Sequence, residues 1–323
     1  MRVALGFLGE PKASEIVEIA RKSEALGFDS LWMCETRFTR DAVSPLAAMA
    51  MVTTRARLGS AAINVFTRGP VLIGASFATL DELSGGRMIL GLGAGSPAIL
   101  DKQGIEFTGA LKRLKEYVDI FRFLIKGGPV TYKGEYTSVK GVELEFTPVR
   151  KEIPVYLAVT GPKALHLAGQ IADGVILNGF TSVDYAKRAI RRVEEGARSV
   201  GRKLTDLDIT SSNIISVSED SKAAKEALRW LVATYLVTFP AIAGESGVPS
   251  ELLQSIQSVY NTNGLNSAMT LVPDSVIESL TVSGNPDECV NRLRKYLDAG
   301  VGKPIVMPVG SDPELVLKVS LKA

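Results

Sequence analysis

The run SGGRMILGLGAGS, Ser84 to Ser96, constrains the fold more than any other stretch of the chain. Gly85 and Gly86 end a preceding helix in the left-handed conformation that glycine adopts without steric cost. Met88 to Leu92 is a short apolar run, the pattern of a strand buried on both faces. Gly91, Gly93 and Gly95 remove side chains where that strand ends, so a backbone or a ligand can come close. Upstream, Leu58 to Ile63 reads as one buried strand. Pro70 opens a helix whose Leu72, Ile73, Phe77 and Leu80 fall near helical spacing. Three structures accommodate such a run. One is a tight strand–helix turn with no ligand. A second is a dinucleotide site, but that needs GxGxxG, and GxGxG here follows several earlier strand–helix units. The third is the rim of a (β/α)8 barrel, where ligands sit at the C-terminal ends of strands. The surrounding pattern favours the third.

Strands and helices alternate along the chain. Val3–Phe7 and Ser30–Cys34 read as strands. Ala13–Leu26 between them is an amphipathic helix, with Ile16, Ile19 and Ala20 inward and Glu15, Glu18 and Lys22 outward. Pro45–Thr54 and Leu111–Ile125 read as helices. Strands are expected at Pro154–Val159, Val175–Leu177, Leu207–Ser212 and Lys303–Met307. Helices are expected at Pro162–Ile171, Val183–Val200, Pro286–Ala299 and Pro313–Leu321. This order predicts an α/β fold, a (β/α)8 TIM barrel with insertions, in one domain over 1–323. Residues 129–148 read as an inserted β-hairpin. Residues 234–283 read as a helical insertion, of the kind that covers the active-site end of a barrel.

Composition narrows the partners. With 37 basic against 35 acidic residues and a net charge of +2, nothing favours nucleic acid or a membrane surface. No apolar run reaches the length of a membrane span, and the N-terminal segment reads as a first strand rather than a signal peptide. The two cysteines, Cys34 and Cys289, match no metal spacing and fit a reducing, cytoplasmic setting. The single histidine, His166, weighs against a multi-histidine metal site or a Ser-His-Asp hydrolase, and a packing role on its helix is the better reading.

Residues at strand C-termini face the expected site. Glu35 is the best placed acid there, with Glu10 a weaker one. Arg37, Arg68 and Lys163 are candidate anion holders. Gly161-Pro162-Lys163, at a helix start, offers free amides and a cation for a phosphate. Paired carboxylates are missing from this set, which suits a site where a bound cofactor carries the chemistry and the protein positions it.

Several segments carry a resemblance over nearly the whole chain: GFDSLWMCE, LGSAAINVFTRGP, TLDELSGGRMILGLGAG, IPVYLAVTGPKALHLAGQIADGVILNG, and GNPDECVNRLRKYLDAGV with MPVG. The sequence resembles the luciferase-like flavin and deazaflavin oxidoreductases, and within them the coenzyme F420-dependent methylenetetrahydromethanopterin reductases of archaea. The resemblance implies a luciferase-like barrel that binds coenzyme F420, or alternatively FMN, with its ring near strands two to four. It implies a bulge at Asn64 to Arg68 pressing on the ring, so that Asn64, Val65 and Arg68 line it, with a non-prolyl cis peptide at Asn64–Val65 or one residue earlier. Gly93, Gly95 and Ser96 would line the coenzyme. Val159, Thr160, Gly161, Pro162 and Lys163 would hold its phosphate-bearing side chain. Glu35 would stand for an aspartate of the family's strand-two motif, as proton relay or electrostatic partner in hydride transfer to a small-molecule substrate. Trp32, beside it, would report on a bound ring. The resemblance also implies a homodimer or larger assembly. Gly6, Thr36, Ser96 and Thr160 depart from the reductase pattern. An FMN-dependent monooxygenase and a non-catalytic flavin- or deazaflavin-binding barrel are the alternatives.

Overall fold

The computed structural model describes residues 3–35, 38–311 and 313–323. Eight parallel strands close into a barrel surrounded by helices, as the alternating pattern requires. In chain order the first half holds β1 (Ala4–Phe7), α1 (Ala13–Leu26), β2 (Ser30–Met33), α2 (Val43–Val52), β3 (Arg57–Ser60), β4 (Ile63–Asn64), α3 (Pro70–Ser84), β5 (Met88–Gly93), α4 (Pro97–Asp101), α5 (Ala110–Lys126), β6 (Val130–Lys133) and β7 (Ser138–Val142). The second half holds β8 (Val155–Ala158), α6 (Pro162–Ile171), β9 (Gly174–Leu177), α7 (Val183–Ser199), β10 (Asp208–Val217), α8 (Ser221–Thr238), α9 (Pro240–Glu245), α10 (Ser250–Asn263), α11 (Leu265–Met269) and α12 (Asp274–Leu280). It ends with β11 (Val282–Gly284), α13 (Pro286–Asp298), β12 (Lys303–Pro308) and α14 (Pro313–Lys322). Around the barrel the order is β1-β2-β3-β5-β8-β9-β10-β12, and β12 pairs back to β1.

Local chemistry sets the helix ends. Proline stands at the start of α3, α6 and α13, where its missing N–H costs nothing. Gly27 and Gly85 end α1 and α3 in the left-handed conformation. Asn285 and Glu288 cap α13 reciprocally.

Alternation divides the core. Leu5, Leu31 and Leu157 face the helices, whereas Ala4, Trp32 and Tyr156 face the barrel axis. Trp32 is fully buried, its ring centroid 5.5 Å from that of Tyr156. Its indole N–H donates to the Ser30 hydroxyl at 2.9 Å, towards the N-terminal end of the barrel. Trp32 is therefore a filler of the barrel interior, not a rim residue. The same end is closed by charge. Lys303, only 6 % exposed, pairs with Asp29, which also holds Arg57 at 3.1 Å, and the Tyr156 hydroxyl donates to Asp208.

Three sequence expectations need correction. Leu58–Ile63 is not one strand: pairing stops after Ser60 and resumes at Ile63 as β4. The seventh barrel strand runs on to Val217 instead of ending at Ser212, because β12 and then β11 ladder onto it. The segment 234–283 is not wholly helical, since it ends in β11, in register with Ile215–Val217. Each partner lies far away in sequence, so no local pattern announces it.

Candidate active site

The rim is built first by the bulge between β3 and β4. Leu58 and Gly59 lie opposite Met88 and Ile89, and Ile63 and Asn64 opposite Leu92 and Gly93. The β3–β4 strand thus carries one residue more than β5 over that interval, the definition of a bulge. The Ser60 hydroxyl takes over the lost ladder bonds, donating to the Gly91 carbonyl and accepting from its N–H, each at 2.9 Å. A Cβ on Gly91 would stand 1.9 Å from the Ser60 carbonyl oxygen. The approach that Gly91 permits is therefore that of the protein's own backbone. The cis peptide bond lies at Ala61–Ala62, inside the bulge. It is not beside Asn64, because Ile63 and Asn64 are already back in register with β5.

Small residues meet above this bulge. A Cβ on Gly93 would lie 3.6 Å from the methyl groups of both Ala62 and Ala158. Ala61, Ala62 and Ala158 sit on barrel strands or between them and are still half-exposed, so the mouth is open there and lined by backbone and methyl groups. Asn64 turns the chain next. Its Oδ1 accepts the Phe66 N–H at 2.8 Å, and its Nδ2 lies where a Cβ on Gly95 (φ +70°) would come within 2.2 Å. Val65 is buried with its side chain in the outer core, and its N–H donates to the Gly93 carbonyl at 3.1 Å. Ser96 is the N-cap residue of the short α4.

Arg68 and Glu35 join this loop to β2. The guanidinium reaches the carboxylate through Nε at 3.1 and 3.2 Å and through Nη2 at 2.9 Å. The Ala42 N–H donates to Glu35 Oε2 at 3.1 Å, and Asp41 stands 3.7 Å from Arg68. The hydrogen bond that Arg68 donates to Glu35 outweighs burial and pushes the Arg68 pKa above its ordinary value. A carboxylate gripped on both oxygens suits the electrostatic role better than proton relay.

On the neighbouring strand, Gly93 pairs with Ala158, which brings the β8 loop beside the β5 loop. Val159 is buried, and the Thr160 carbonyl accepts the Tyr185 hydroxyl at 2.6 Å. Gly161 caps α6 with no side-chain hydrogen bond, Pro162 follows at its start, and Lys163 is exposed. The first-turn amides of this ten-residue helix thus keep their donors, next to a lysine. Glu35, Asn64, Val65, Arg68, Gly93, Gly95, Ser96 and the Val159–Lys163 run therefore occupy one continuous arc of the rim, from β2 to β8. Arg37 and Thr36 lie outside the described residues. Glu10 is exposed on the β1 loop, beside the β2 end of that arc. His166 lies 3.4 Å from Gln170, and its carbonyl packs against Gly196 of α7.

Residues 177–180, at a strand end, are among those expected to face the site, but sequence reasoning named neither Tyr235 nor Phe239 beside them. Phe180, on the β9 loop, stacks on Tyr235 of α8 with centroids 4.6 Å apart, and Tyr235 meets Phe239 at 5.1 Å. Asn178 Nδ2 donates to the Tyr235 hydroxyl at 2.9 Å. Asn178-Gly179 is a legible turn signal. Tyr235 falls in the segment 234–283 read as a covering insertion, but nothing near it in sequence pairs it with Asn178. A further cavity of about 330 Å³ opens at the β1 and β12 end of the rim, against Leu8, Trp230 and Val309.

Strands, bulge and helix start together define a parallel α/β barrel whose C-terminal rim sets the small residues Ala61, Ala62, Gly93 and Ala158 beside the N-terminus of α6. A family model described as luciferase-like monooxygenase matches residues 3–303, and the chain belongs to that family. It is 30 % identical to the 5,10-methylenetetrahydromethanopterin reductase of Methanopyrus kandleri, over 97 % of this chain and 94 % of that one. It is 30 % identical to the enzyme of the same name from Methanolobus tindarius, over 99 % and 98 %. The F420-dependent glucose-6-phosphate dehydrogenase of Amycolatopsis mediterranei is 28 % identical, over 94 % and 91 %. Among solved structures, the coenzyme F420-dependent tetrahydromethanopterin reductase of Methanopyrus kandleri superposes with a TM-score of 0.90 at 27 % identity, covering 100 % of this chain and 99 % of that one.

Proposed function

We propose that this protein is a coenzyme F420-dependent oxidoreductase that moves a hydride between the deazaflavin and a small substrate. Its substrate bond is of the CH–NH or a related type, as in the methylenetetrahydromethanopterin reductases to which it is similar. The observation that carries the reading is the seat at Ala61, Ala62, Gly93 and Ala158. A flat ring needs a wall without projecting side chains, and this wall has none larger than a methyl group. Full-length similarity to relatives named for F420 supports the same coenzyme. When bound, the deazaflavin supplies a ring carbon that carries the hydride.

The chain's own residues would hold and shield. The bulge and Gly93 would press on one face of the ring. Asn64 and Gly95 fix the loop that bears Arg68, and Glu35 fixes Arg68 in turn. The α6 amides with Lys163 would take the phosphate of the coenzyme's side chain. Helix α8 and the β9 loop would keep water from the other face, so that the reacting atoms stay in contact.

Equilibrium dialysis against coenzyme F420 and FMN, each oxidised and reduced, tests the reading. Saturable binding of F420 is expected, weakened at least tenfold in Gly93→Val, whose side chain would project into the seat. Binding of FMN alone would move the protein to the monooxygenase side of the family, and binding of neither would overturn the coenzyme assignment.

A further inference from the structure

The main chain just before α6 is held by a side chain from another helix. Tyr185, in the first turn of α7, is 2 % exposed, and its hydroxyl donates to the Thr160 carbonyl oxygen at 2.6 Å. A main-chain carbonyl can only accept, so the direction of this bond is fixed. Burial pushes the Tyr185 pKa up, which keeps the proton on oxygen. Tyr185 shares its helix face with Ala186, Ala189, Ile190 and Val193, all buried. Phenylalanine would fill the same space, so what the hydroxyl adds is its hold on the Thr160–Gly161 peptide. That peptide is trans, and its C=O and N–H point in opposite directions. α7 belongs to the outer helical layer and packs on α6. With the carbonyl held from there, the Gly161 N–H is turned away from that layer. Among the described residues no acceptor receives this N–H, and a Cβ built on Gly161 would meet no atom within 4 Å, so the space beside it is open. Ala158 of the ring seat precedes Gly161 by three residues, at most about 11 Å of extended chain.

We propose that Tyr185 is a positioning residue of the coenzyme site: its grip on the Thr160 carbonyl aims the Gly161 N–H at the phosphate taken by the α6 amides and Lys163. The same bond polarises the peptide and makes that N–H a stronger donor to an anion. The inference rests on reading the start of α6 as the phosphate seat of a bound coenzyme, and it adds a residue that acts through the peptide.

The test uses the full-length protein and two probes that differ in the phosphate: coenzyme F420, and its deazaflavin nucleoside, which keeps the ring and sugar-alcohol chain but has no phosphate. In equilibrium dialysis Tyr185→Phe should bind coenzyme F420 about tenfold less tightly than wild type and the nucleoside equally well. Equal weakening of both probes, or of neither, overturns the inference, because a loss of packing does not tell one probe from the other. A second readout is the amide NMR signal of Gly161. Threonine labelled at its carbonyl carbon and glycine labelled at nitrogen select two peptides, Thr108–Gly109 and Thr160–Gly161, and the signal lost in Gly161→Ala is the second. It should move to lower field when coenzyme F420 binds to wild type, and by less in Tyr185→Phe. Should Tyr185→Phe not fold by circular dichroism, the wild-type signal decides: F420 binding that leaves it in place sinks this inference alone. Inorganic phosphate separates the two readings. If F420 does not bind, yet inorganic phosphate moves the Gly161 signal in wild type and not in Tyr185→Phe, the coenzyme reading alone fails.

Discussion

At the scale of single residues, the rim depends on positions where one added atom collides with backbone. Gly91→Ala would drive a methyl group into the Ser60 carbonyl, whose contact distance would be 1.9 Å. Backbone on both sides of the bulge must then move, and a loss of about 3 kcal/mol or failure to fold is expected in urea unfolding. Gly95→Ala is milder. It places Cβ against the Asn64 amide and takes alanine to φ +70°, so about 2 kcal/mol is expected, together with weakened coenzyme binding. Glu35→Gln separates the two roles open to that residue. If Glu35 serves by fixing Arg68, the variant loses about 1 kcal/mol and binds coenzyme several-fold less tightly. The pH profile of turnover should then keep its shape, and a lost ionisation in that profile would restore the relay.

At the scale of elements, the hairpin β6–β7 reaches back along α5 to the rim. Its turn is held by Glu116, a buried carboxylate that accepts the N–H of Glu135 at 2.7 Å and of Tyr136. Tyr136 then meets the Arg113 guanidinium, which also lies 4.7 Å from the centroid of the Phe66 ring. Phe66 stacks on Phe107 at 5.3 Å and belongs to the loop between Asn64 and Arg68. The hairpin thus supports the loop from Asn64 to Arg68 from outside the barrel. Glu116→Ala should cost about 1 kcal/mol, because two part-buried N–H groups lose their acceptor. Amide exchange should quicken at Tyr136 and, through Arg113, at Phe66. Exchange that quickens at Tyr136 alone would show that the hairpin carries no support to the rim.

At the scale of the whole molecule, the two ends of the barrel divide the work, with stability concentrated at the N-terminal end. Glu24 there accepts the N–H groups of Thr54, Arg55 and Ala56, and Asp29 holds Lys303 and Arg57. Burial raises both pKa values, but the hydrogen bonds and cations outweigh it, and both fall below their ordinary values of 4.5 and 3.8. A lowered carboxylate stabilises the fold fully above its unfolded pKa and loses that contribution as pH falls through the folded one. Stability to urea should therefore be insensitive to these groups near neutrality and drop below about pH 4. Glu24→Gln and Asp29→Asn should each flatten that acid slope and lower stability at pH 7.

The sequence alone determined the barrel. Its alternating elements, its prolines and glycines at helix ends, and the glycine run at Gly91 to Gly95 are local signals, because helix caps and buried strands impose their chemistry over a few residues. The arc from Glu35 through Asn64 and Gly93 to Lys163 was legible for the same reason: each member lies at a strand's end or in the few residues that follow it, and a barrel gathers strand ends on one face. Only the tertiary structure decided how those residues meet. The bulge falls at Ser60 to Ala62 because β5 sets the register on both sides of it. Gly91 yields to the Ser60 carbonyl, and Glu35 is gripped by Arg68 from another strand. Trp32 turns inward as filler, and β10 runs on to Val217 because β11 and β12 supply partners. Tyr235 reaches Asn178 across 57 residues of chain. Contacts between residues so far apart in sequence leave no periodicity behind, and they exist only once the barrel has closed.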